Sequence, residues 1–338
     1  MKHPSNTATV PAHSLADWPE LRRAPSAGAW LQVMAALLWL PQAGLLALAV
    51  QAMADGRGMA PLWPLAGGVL VLGILRAWCE GRGVLHANLA ARRQLGLLRG
   101  KVVQILAQAS PLDIARAPSG EAASAVAEQA ESIVPWLSRY QSAMWRVRVV
   151  PLLIAVAVAC NSWVAALILL FAAPLIPLFM AIVGWRAKAA SEEQLVQLGG
   201  MNAFLLDRLR GLSTLRAFGA VEATGRQLHE HAQGLRVRTM RVLRIAFLSS
   251  AVLELFSALG VAMVAVYIGF HLLGVLRFGA WGQALSLGQA LFVLLLTPAF
   301  FEPLRELSAV WHDRAAGEAA LERLQAMAAR AQPLVGDV

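Results

Sequence analysis

Four ionisable residues lie within otherwise apolar stretches and are the first candidates for chemistry: Arg76, Arg82, His86 and Glu254. Charged groups in such surroundings are costly, and they normally face a bundle interior or a water-filled cavity. The cations at 76–86 would suit an anionic ligand, and the imidazole of His86 could serve as an axial haem ligand. The alternatives are a structural hydrogen bond for Glu254, snorkelling for Arg76 and a solvated ring for His86.

Charged residues also gather where apolar stretches end. Arg76 and Glu80 are i,i+4 neighbours, so their spacing predicts a local ion pair in which Arg82 could join. A second charged group follows the last apolar stretch, and we interpret it as a packing and gating element: Glu302, Arg305 and Glu306. Neither group has the spacing of a metal site or of an acid/base pair, which disfavours a membrane enzyme.

A short amphipathic segment at 204–222 separates two long apolar stretches. Its apolar residues recur every three positions, which predicts one apolar helical face: Leu209, Leu212, Leu215 and Phe218. Gly211 and Gly219 bracket about two turns, and Arg216 lies on another face. A helix this short spans no membrane, so we interpret it as a coupling helix that docks on a soluble ATPase; the alternative is a solvated loop.

A second coupling element is predicted at 112–117, which includes Leu112, Asp113 and Ile114. The long helical pattern before it breaks at Ser110-Pro111, and Pro118-Ser119-Gly120 follows it.

Composition places the chain among polytopic membrane proteins. Of its 338 residues 58% are apolar and only 14% are charged, well below the share in soluble domains. The net charge of +9 comes almost entirely from arginine. The excess of positive residues in the cytoplasmic loops of membrane proteins explains this charge better than nucleic-acid binding does. The two cysteines, Cys79 and Cys160, lie in apolar surroundings far apart and read as small hydrophobes.

Apolar runs predict an all-α domain over 29–331 with six spans, after a leader at 1–28. The spans are predicted at 29–54, 62–81, 134–160, 163–185, 245–273 and 284–304. Several helical patterns continue well beyond about 30 Å of bilayer, so long helical hairpins extend into water.

Arginine and lysine positions predict the orientation of these spans. Segments 1–28, 82–148, 186–244 and 305–338 carry 26 of the 29 Lys+Arg residues. Because cytoplasmic loops carry the positive excess, both termini and both long hairpins are predicted to be cytoplasmic.

The layout and four local strings resemble the membrane domain of type I ABC exporters, and within them the CydD family of bacterial thiol reductant exporter subunits. The strings are VPLLIAVAVACNSWVAALILLFAAPLIPLFMAIVG at 150–184, FLLDRLRGLSTLRAFG at 204–219, RTMRVLRIAFLSSAVLELFSALGVAMVAVYIGF at 238–270 and PAFFEPLRELSAVWHDRAAGEAALERL at 298–324. The pattern G-x-x-T-x-[RK]-x-F-G, approximated at 211–219, indicates only the wider superfamily.

The resemblance implies a heterodimer with a CydC-like subunit in the bacterial inner membrane. The heterodimer would have twelve membrane helices, arranged in domain-swapped bundles. It implies ATP-driven export of cysteine or glutathione to the periplasm, which supports cytochrome bd assembly and redox balance. ATP and Mg²⁺ would bind at the ATP-binding domains and not to this chain, and haem is a further possible ligand.

The sequence contains no G-x-x-x-x-G-K-[ST] loop, since none of its three lysines lies in that context. We therefore expect no enzymatic activity from this chain alone, and we expect 332–338 to begin a linker to an ATP-binding domain. Three functions stay open: a thiol exporter subunit, a haem-handling membrane protein with the same fold, and a secondary transporter without an ATPase.

Overall fold

The computed structural model describes residues 26–109, 119–176, 178–179, 208, 212–282 and 284–331. The helices of this part of the chain are α1 (Ala27–Leu37), α2 (Trp39–Ala54), α3 (Leu62–Ala107), α4 (Ser119–Ala127), α5 (Ile133–Pro135), α6 (Gln141–Ala159), α7 (Trp163–Ala172), α8 (Leu212–Ala217), α9 (Val221–Leu272), α10 (Leu287–Ala309) and α11 (Trp311–Arg330). The β-pairing found among these residues is one isolated bridge, Ser162 with Ala280. The predicted all-α membrane fold is confirmed.

Five helical stretches in the described ranges are long and apolar enough to cross a bilayer. They are Ala27–Ala54, Leu62–Ala107, Ala122–Ala159, Ala251–Leu272 and Leu287–Arg330, and Trp163–Ala172 is a shorter apolar helix. These stretches overlap the predicted spans 1, 2, 3, 5 and 6. The fourth predicted span begins with α7, and most of its second half lies outside the described residues.

The first span, Ala27–Ala54, contains one break in its helix. It divides into α1 and α2 at Leu38, whose amide bonds the carbonyl of Met34 at 2.9 Å. Pro41 has no N–H to give to the carbonyl of Leu37, so the regular hydrogen-bond ladder is interrupted there.

The sequence also predicts one helix that begins at Ser119, is polar to about residue 131 and then becomes span 3, and this helix is interrupted. Between α4 and α6 it passes through a 3₁₀ turn, Gln129–Ser132, the short α5 and a π-helical turn, Trp136–Tyr140. Pro135 withholds the N–H that the carbonyl of Glu131 would need in an α-helix. The chain therefore changes helix type around this proline.

The chain divides into two compact units, one made of residues 1–167 with 266–338 and the other of residues 168–265. In the first unit, spans 1, 2, 3 and 6 form a bundle. Its α1 packs on α3 and α6, while α2 packs on α3 and α10, and α10 closes the bundle against α6.

Small residues allow a close helix crossing in this bundle. A Cβ on Gly28 would lie 2.5 Å from the carbonyl oxygen of Gly83 and would also strike the backbone of Ala87. Beside this crossing, Gln32 donates a buried hydrogen bond of 3.4 Å to Ser142. In membranes small residues let backbones approach this closely, so the crossing of α1 and α3 depends on its glycines.

An apolar core also forms mostly beyond the predicted spans, with Val134 and Leu137 at the start of span 3 as the exceptions, and we call it the extension core. It joins the second half of α3, residues 125–137 and α11, with these buried members: Ala91, Leu95, Leu98, Val102, Ala125, Ala130, Ile133, Val134, Leu137, Ala320, Leu321, Leu324 and Met327. Ala91 lies 29 residues after Leu62, about 44 Å along α3 and beyond a hydrocarbon core of about 30 Å. The predicted helical extensions therefore pack on one another.

Arg99 closes the end of α4 against α3. Its guanidinium donates to the carbonyl oxygens of Val126 at 2.8 Å and Ala127 at 2.7 Å, and it lies 3.1 Å from a carboxylate oxygen of Glu131. The last carbonyls of a helix lack intrahelical partners, and a cation suits that end of the helix dipole. Arg99 thus fixes the segment that follows the predicted coupling element at 112–117.

We expect Arg99→Met to destabilise the protein by about 1–2 kcal/mol, because two carbonyls and a carboxylate lose a charged donor. Thermal unfolding in detergent measures the loss. Arg93→Met is the matched control, since Arg93 is an exposed arginine on the same helix. Equal melting temperatures for the two variants would contradict this role for Arg99.

On the opposite side of the bundle, side-chain hydrogen bonds fix the loop between α9 and α10 to the turn after α6. Ser162 donates to the carbonyl of Gly279 at 2.7 Å, Tyr267 to that of Phe278 at 3.0 Å and Trp281 to that of Ala159 at 2.7 Å. Gly279 has φ +102° and no space for a Cβ beside the Tyr267 hydroxyl. Both features favour glycine at that position.

In the second unit, α8 is the helix predicted at 211–219. Gly219 ends it with φ +62°, and the next amide, of Ala220, bonds the carbonyl of Leu215 at 2.9 Å. A glycine in the left-handed region is the usual end of a helix. In the same unit the rings of Phe179 and Phe256 stack at 4.4 Å.

Candidate functional site

Three helices of the bundle meet at one partly buried arginine, Arg146 of α6. Its guanidinium lies 3.1 Å from a carboxylate oxygen of Glu80 on α3, and donates to both oxygens of Glu306 on α10 at 2.8 and 3.0 Å. The side chain of Arg146 is 16% exposed, against 39% for Glu80 and 33% for Glu306. We call these three residues the Arg146 triad, which holds spans 2, 3 and 6 together by charge-assisted hydrogen bonds.

The triad corrects the predicted local ion pairs of span 2. Glu80 bonds Arg146, which lies 66 residues away in sequence. The guanidinium of Arg76 instead lies over the ring of Trp39 at 5.2 Å, and that of Arg82 over the ring of Trp78 at 5.5 Å. Neither arginine forms an ion pair with Glu80 within the described part of the chain.

Sequence analysis did not single out Arg146. A usable signal was present, since Arg146 is an ionisable residue five positions after the start of an otherwise apolar helix. Such residues are expected to have a partner on a neighbouring helix.

The charged group of span 6 divides into two parts. Glu306 joins the triad, whereas Glu302 forms an i,i+3 ion pair with Arg305 at 3.6 Å on the helix surface. Surface pairs of this kind contribute little to stability. Glu306 is thus the member of this group that bonds a residue of another helix, and the packing and gating role of the group stays a prediction.

The candidates of span 2 do not all share a face. Arg82 and His86 are four residues apart and both exposed, so they lie side by side on α3. Arg76 is six residues before Arg82, and at 100° per residue it points about 120° away. An imidazole beside a guanidinium could ligate an iron atom while the guanidinium bonds an anionic group, and these are the two residue types on which the haem interpretation depends.

Glu254 is an exposed residue of α9, in the second unit. It precedes the end of the helix at Leu272 by 18 residues, which is about 27 Å along the axis. Measured from that end, Glu254 lies close to the opposite boundary of a hydrocarbon core about 30 Å thick.

The two predicted coupling elements differ in what the structure describes. Leu112, Asp113, Ile114 and Gly211 lie outside the described residues. In α8, Leu212 and Arg216 are exposed and Leu215 is half-buried, while the following Phe218 is 81% exposed. The helix therefore exposes a cation, and the residue that follows it exposes an aromatic ring.

Within the described ranges no group of three or more His, Cys, Asp or Glu side chains could hold a metal ion. The structure thus defines a helical membrane domain with charged groups between its spans, long helical extensions and a short exposed helix between α7 and α9.

Comparisons with known proteins define the family. The family model of the ABC transporter transmembrane region matches residues 27–304, so the chain belongs to that family. Within it the chain is CydD-like. It is 42% identical over 255 residues to the glutathione/L-cysteine transport system ATP-binding/permease protein CydD of Escherichia coli (strain K12), covering 75% of this chain and 43% of that protein.

Two further relatives agree with this likeness. The transport ATP-binding protein AarD of Providencia stuartii is 38% identical over 88% of this chain and 52% of its own length. The glutathione/L-cysteine transport system protein CydC of Bacillus subtilis (strain 168) is 29% identical over 84% of this chain and 49% of its own length. The chain spans about half the length of these three relatives. The names of all three include the words ATP-binding.

Proposed function

We propose that this chain is the membrane-spanning part of a heterodimeric ABC exporter that moves cysteine or glutathione from the cytoplasm to the periplasm. The observation that carries the proposal is the family match over 27–304 together with the likeness to a glutathione/L-cysteine permease of the CydD type. The partner would be a CydC-like subunit, and the exported thiols would support cytochrome bd assembly and periplasmic redox balance.

The proposed cycle uses both the bundle and α8. ATP-binding domains would close on ATP and Mg²⁺, and Phe218 with its neighbours on α8 would receive that movement. The extension core and the Arg146 triad join spans 2, 3 and 6, so these spans would move together when the cavity changes its accessible side. In this proposal Glu302, Arg305 and Glu306 act in packing and gating.

The proposed substrate path draws on Glu254, Arg76, Arg82 and His86. Each of the four side chains is exposed within its own unit, and a residue that contacts a transported substrate must be accessible. The arginine distribution supports an orientation with both termini in the cytoplasm of a bacterium and the spans in its inner membrane.

Uptake into inverted membrane vesicles tests the proposal. The vesicles contain the chain with its ATP-binding domain and partner subunit, and receive labelled cysteine, glutathione or haem with and without ATP. We expect ATP-dependent thiol accumulation that Glu254→Ala abolishes. Thiol uptake that does not depend on ATP would contradict an ABC exporter.

The coupling role of α8 has its own prediction. We expect Phe218→Ala to lower thiol uptake at least tenfold while basal ATP hydrolysis continues, because the ring would no longer transmit ATPase closure to the spans. Val221→Ala, at an exposed apolar residue in the first turn of α9, is the matched control. Equal losses of uptake in both variants would contradict a specific role for Phe218.

The haem alternative retains one supporting observation, the shared exposed face of Arg82 and His86 on α3. When bound, haem would supply an iron that His86 could ligate and carboxylates that Arg82 could bond. A Soret band in the purified heterodimer that His86→Ala removes would favour haem handling, as would ATP turnover stimulated by haem and by no thiol.

A further inference from the structure

Arg76 lies at a junction of three helices. Its guanidinium carbon lies 5.2 Å from the ring centroid of Trp39, at the start of α2. The indole N–H of Trp39 donates to the carbonyl of Leu295 on α10 at 3.1 Å, which fixes the ring. A guanidinium over an aromatic face is attracted by the ring quadrupole and keeps its edge N–H groups available.

The depth of Arg76 makes its exposure informative. It follows the start of α3 at Leu62 by 14 residues, which is about 21 Å along the axis and inside a hydrocarbon core of about 30 Å. Its side chain is exposed from the bundle. An exposed arginine at that depth is expected to face a water-filled cavity and not lipid.

The charge of Arg76 is not balanced inside its own unit. The nearest carboxylate along the helix, Glu80, bonds Arg146 instead. No ion pair to Arg76 forms within the described part of the chain. The guanidinium instead lies over the ring face of Trp39, which carries no formal charge. A cation held in this way has donors for an anionic ligand that enters the cavity.

We infer that Arg76, presented on Trp39, binds a carboxylate of the transported thiol. The inference rests on the proposed function and names the part of the substrate that this side chain recognises. Cysteine carries one carboxylate and glutathione two, and the planar fork of arginine matches a carboxylate with two parallel hydrogen bonds. Recognition of this group would distinguish thiol acids from neutral thiols of the same size.

Stimulation of ATP hydrolysis by substrate tests the inference in the full heterodimer with its ATP-binding domains. The probes are cysteine and cysteinamide, in which a neutral amide replaces the carboxylate. For cysteine, we expect Arg76→Gln to raise the concentration giving half-maximal stimulation about 10- to 100-fold, the loss of a charged hydrogen bond. For cysteinamide, the value is expected to be high already and to stay unchanged in the variant.

Two further variants separate recognition from structure. Arg148 also lies over a tryptophan, at 5.4 Å from the ring of Trp145, and is exposed, so Arg148→Gln is the matched control and should leave both probes unaffected. Trp39→Leu keeps the cation and removes its platform, so it should weaken stimulation by cysteine alone. It also tests the inference if Arg76→Gln does not assemble.

The outcomes are distinguishable. Equal shifts for cysteine and cysteinamide in Arg76→Gln and in Trp39→Leu, or no shift in either, would overturn the role of Arg76 while thiol export stands. A wild-type heterodimer that no thiol stimulates and that accumulates no thiol would overturn the proposed function, and the inference with it.

Discussion

Arg146→Leu is expected to destabilise the bundle by about 3 kcal/mol, the lower end of the cost of unpairing a buried charge, because it leaves the partly exposed Glu80 and Glu306 without the cation between them. The carboxylates would then repel each other in partly buried positions, 39% and 33% exposed. Arg146→Lys should lose less, since it keeps the charge and loses the two-pronged contact with Glu306. Thermal unfolding of the purified protein in detergent measures both losses.

Removal of the whole triad provides the decisive comparison. The triple variant Glu80→Gln, Arg146→Leu, Glu306→Gln should be more stable than Arg146→Leu alone, because no carboxylate remains without its partner. Arg148→Leu is the control, since Arg148 is an exposed arginine two residues along the same helix. If Arg146→Leu and Arg148→Leu have the same melting temperature, the triad does not hold the three spans together.

The second large effect is expected at the crossing of α1 and α3. A Cβ on Gly83 would lie 2.8 Å from Cγ of Gln32 and 3.0 Å from both the amide nitrogen of Gln32 and the carbonyl oxygen of Gly28. Gly83→Val would force the helices apart and remove the contact of Gln32 with Ser142, at a cost of about 1–3 kcal/mol or more. Thermal unfolding in detergent measures this cost, and we expect a lowered melting temperature.

Gly81 supplies a matched control on the same helix. A Cβ there would meet no atom within 4 Å, so Gly81→Ala should gain up to about 1 kcal/mol from helix propensity. Substitutions at these two glycines, two residues apart, are thus expected to change the stability in opposite directions. A stabilised Gly83→Val variant would show that α1 and α3 do not cross as closely as described.

The periodicity of apolar residues was sufficient to predict most of the helices. The leucines at every third position and Gly219 predicted α8 and its end, and both are present. The continuation of span 2 to about residue 109 was predicted from an unbroken pattern, and α3 ends at Ala107. The docking role of α8 and the substrate path stay predictions, because they involve partners outside this chain.

Prolines were interpreted less well inside long apolar runs. Pro135 lies at the interruption of the helix that was predicted to run from Ser119 into span 3, and Pro41 follows the break between α1 and α2, on which no prediction was made. A missing N–H acts on one carbonyl four residues earlier, whereas the hydrophobic pattern averages over a whole window.

The positions of most helices and the uneven distribution of arginine are local properties, and the sequence by itself determined them. Which charges meet depends on contacts across helices. Spacing along one helix favoured Arg76 as the partner of Glu80, yet the tertiary structure selects Arg146, 66 residues away, and adds Glu306 from 160 residues beyond Arg146. Packing brings these spans together, and at that point the more buried guanidinium, 16% exposed, takes both carboxylates.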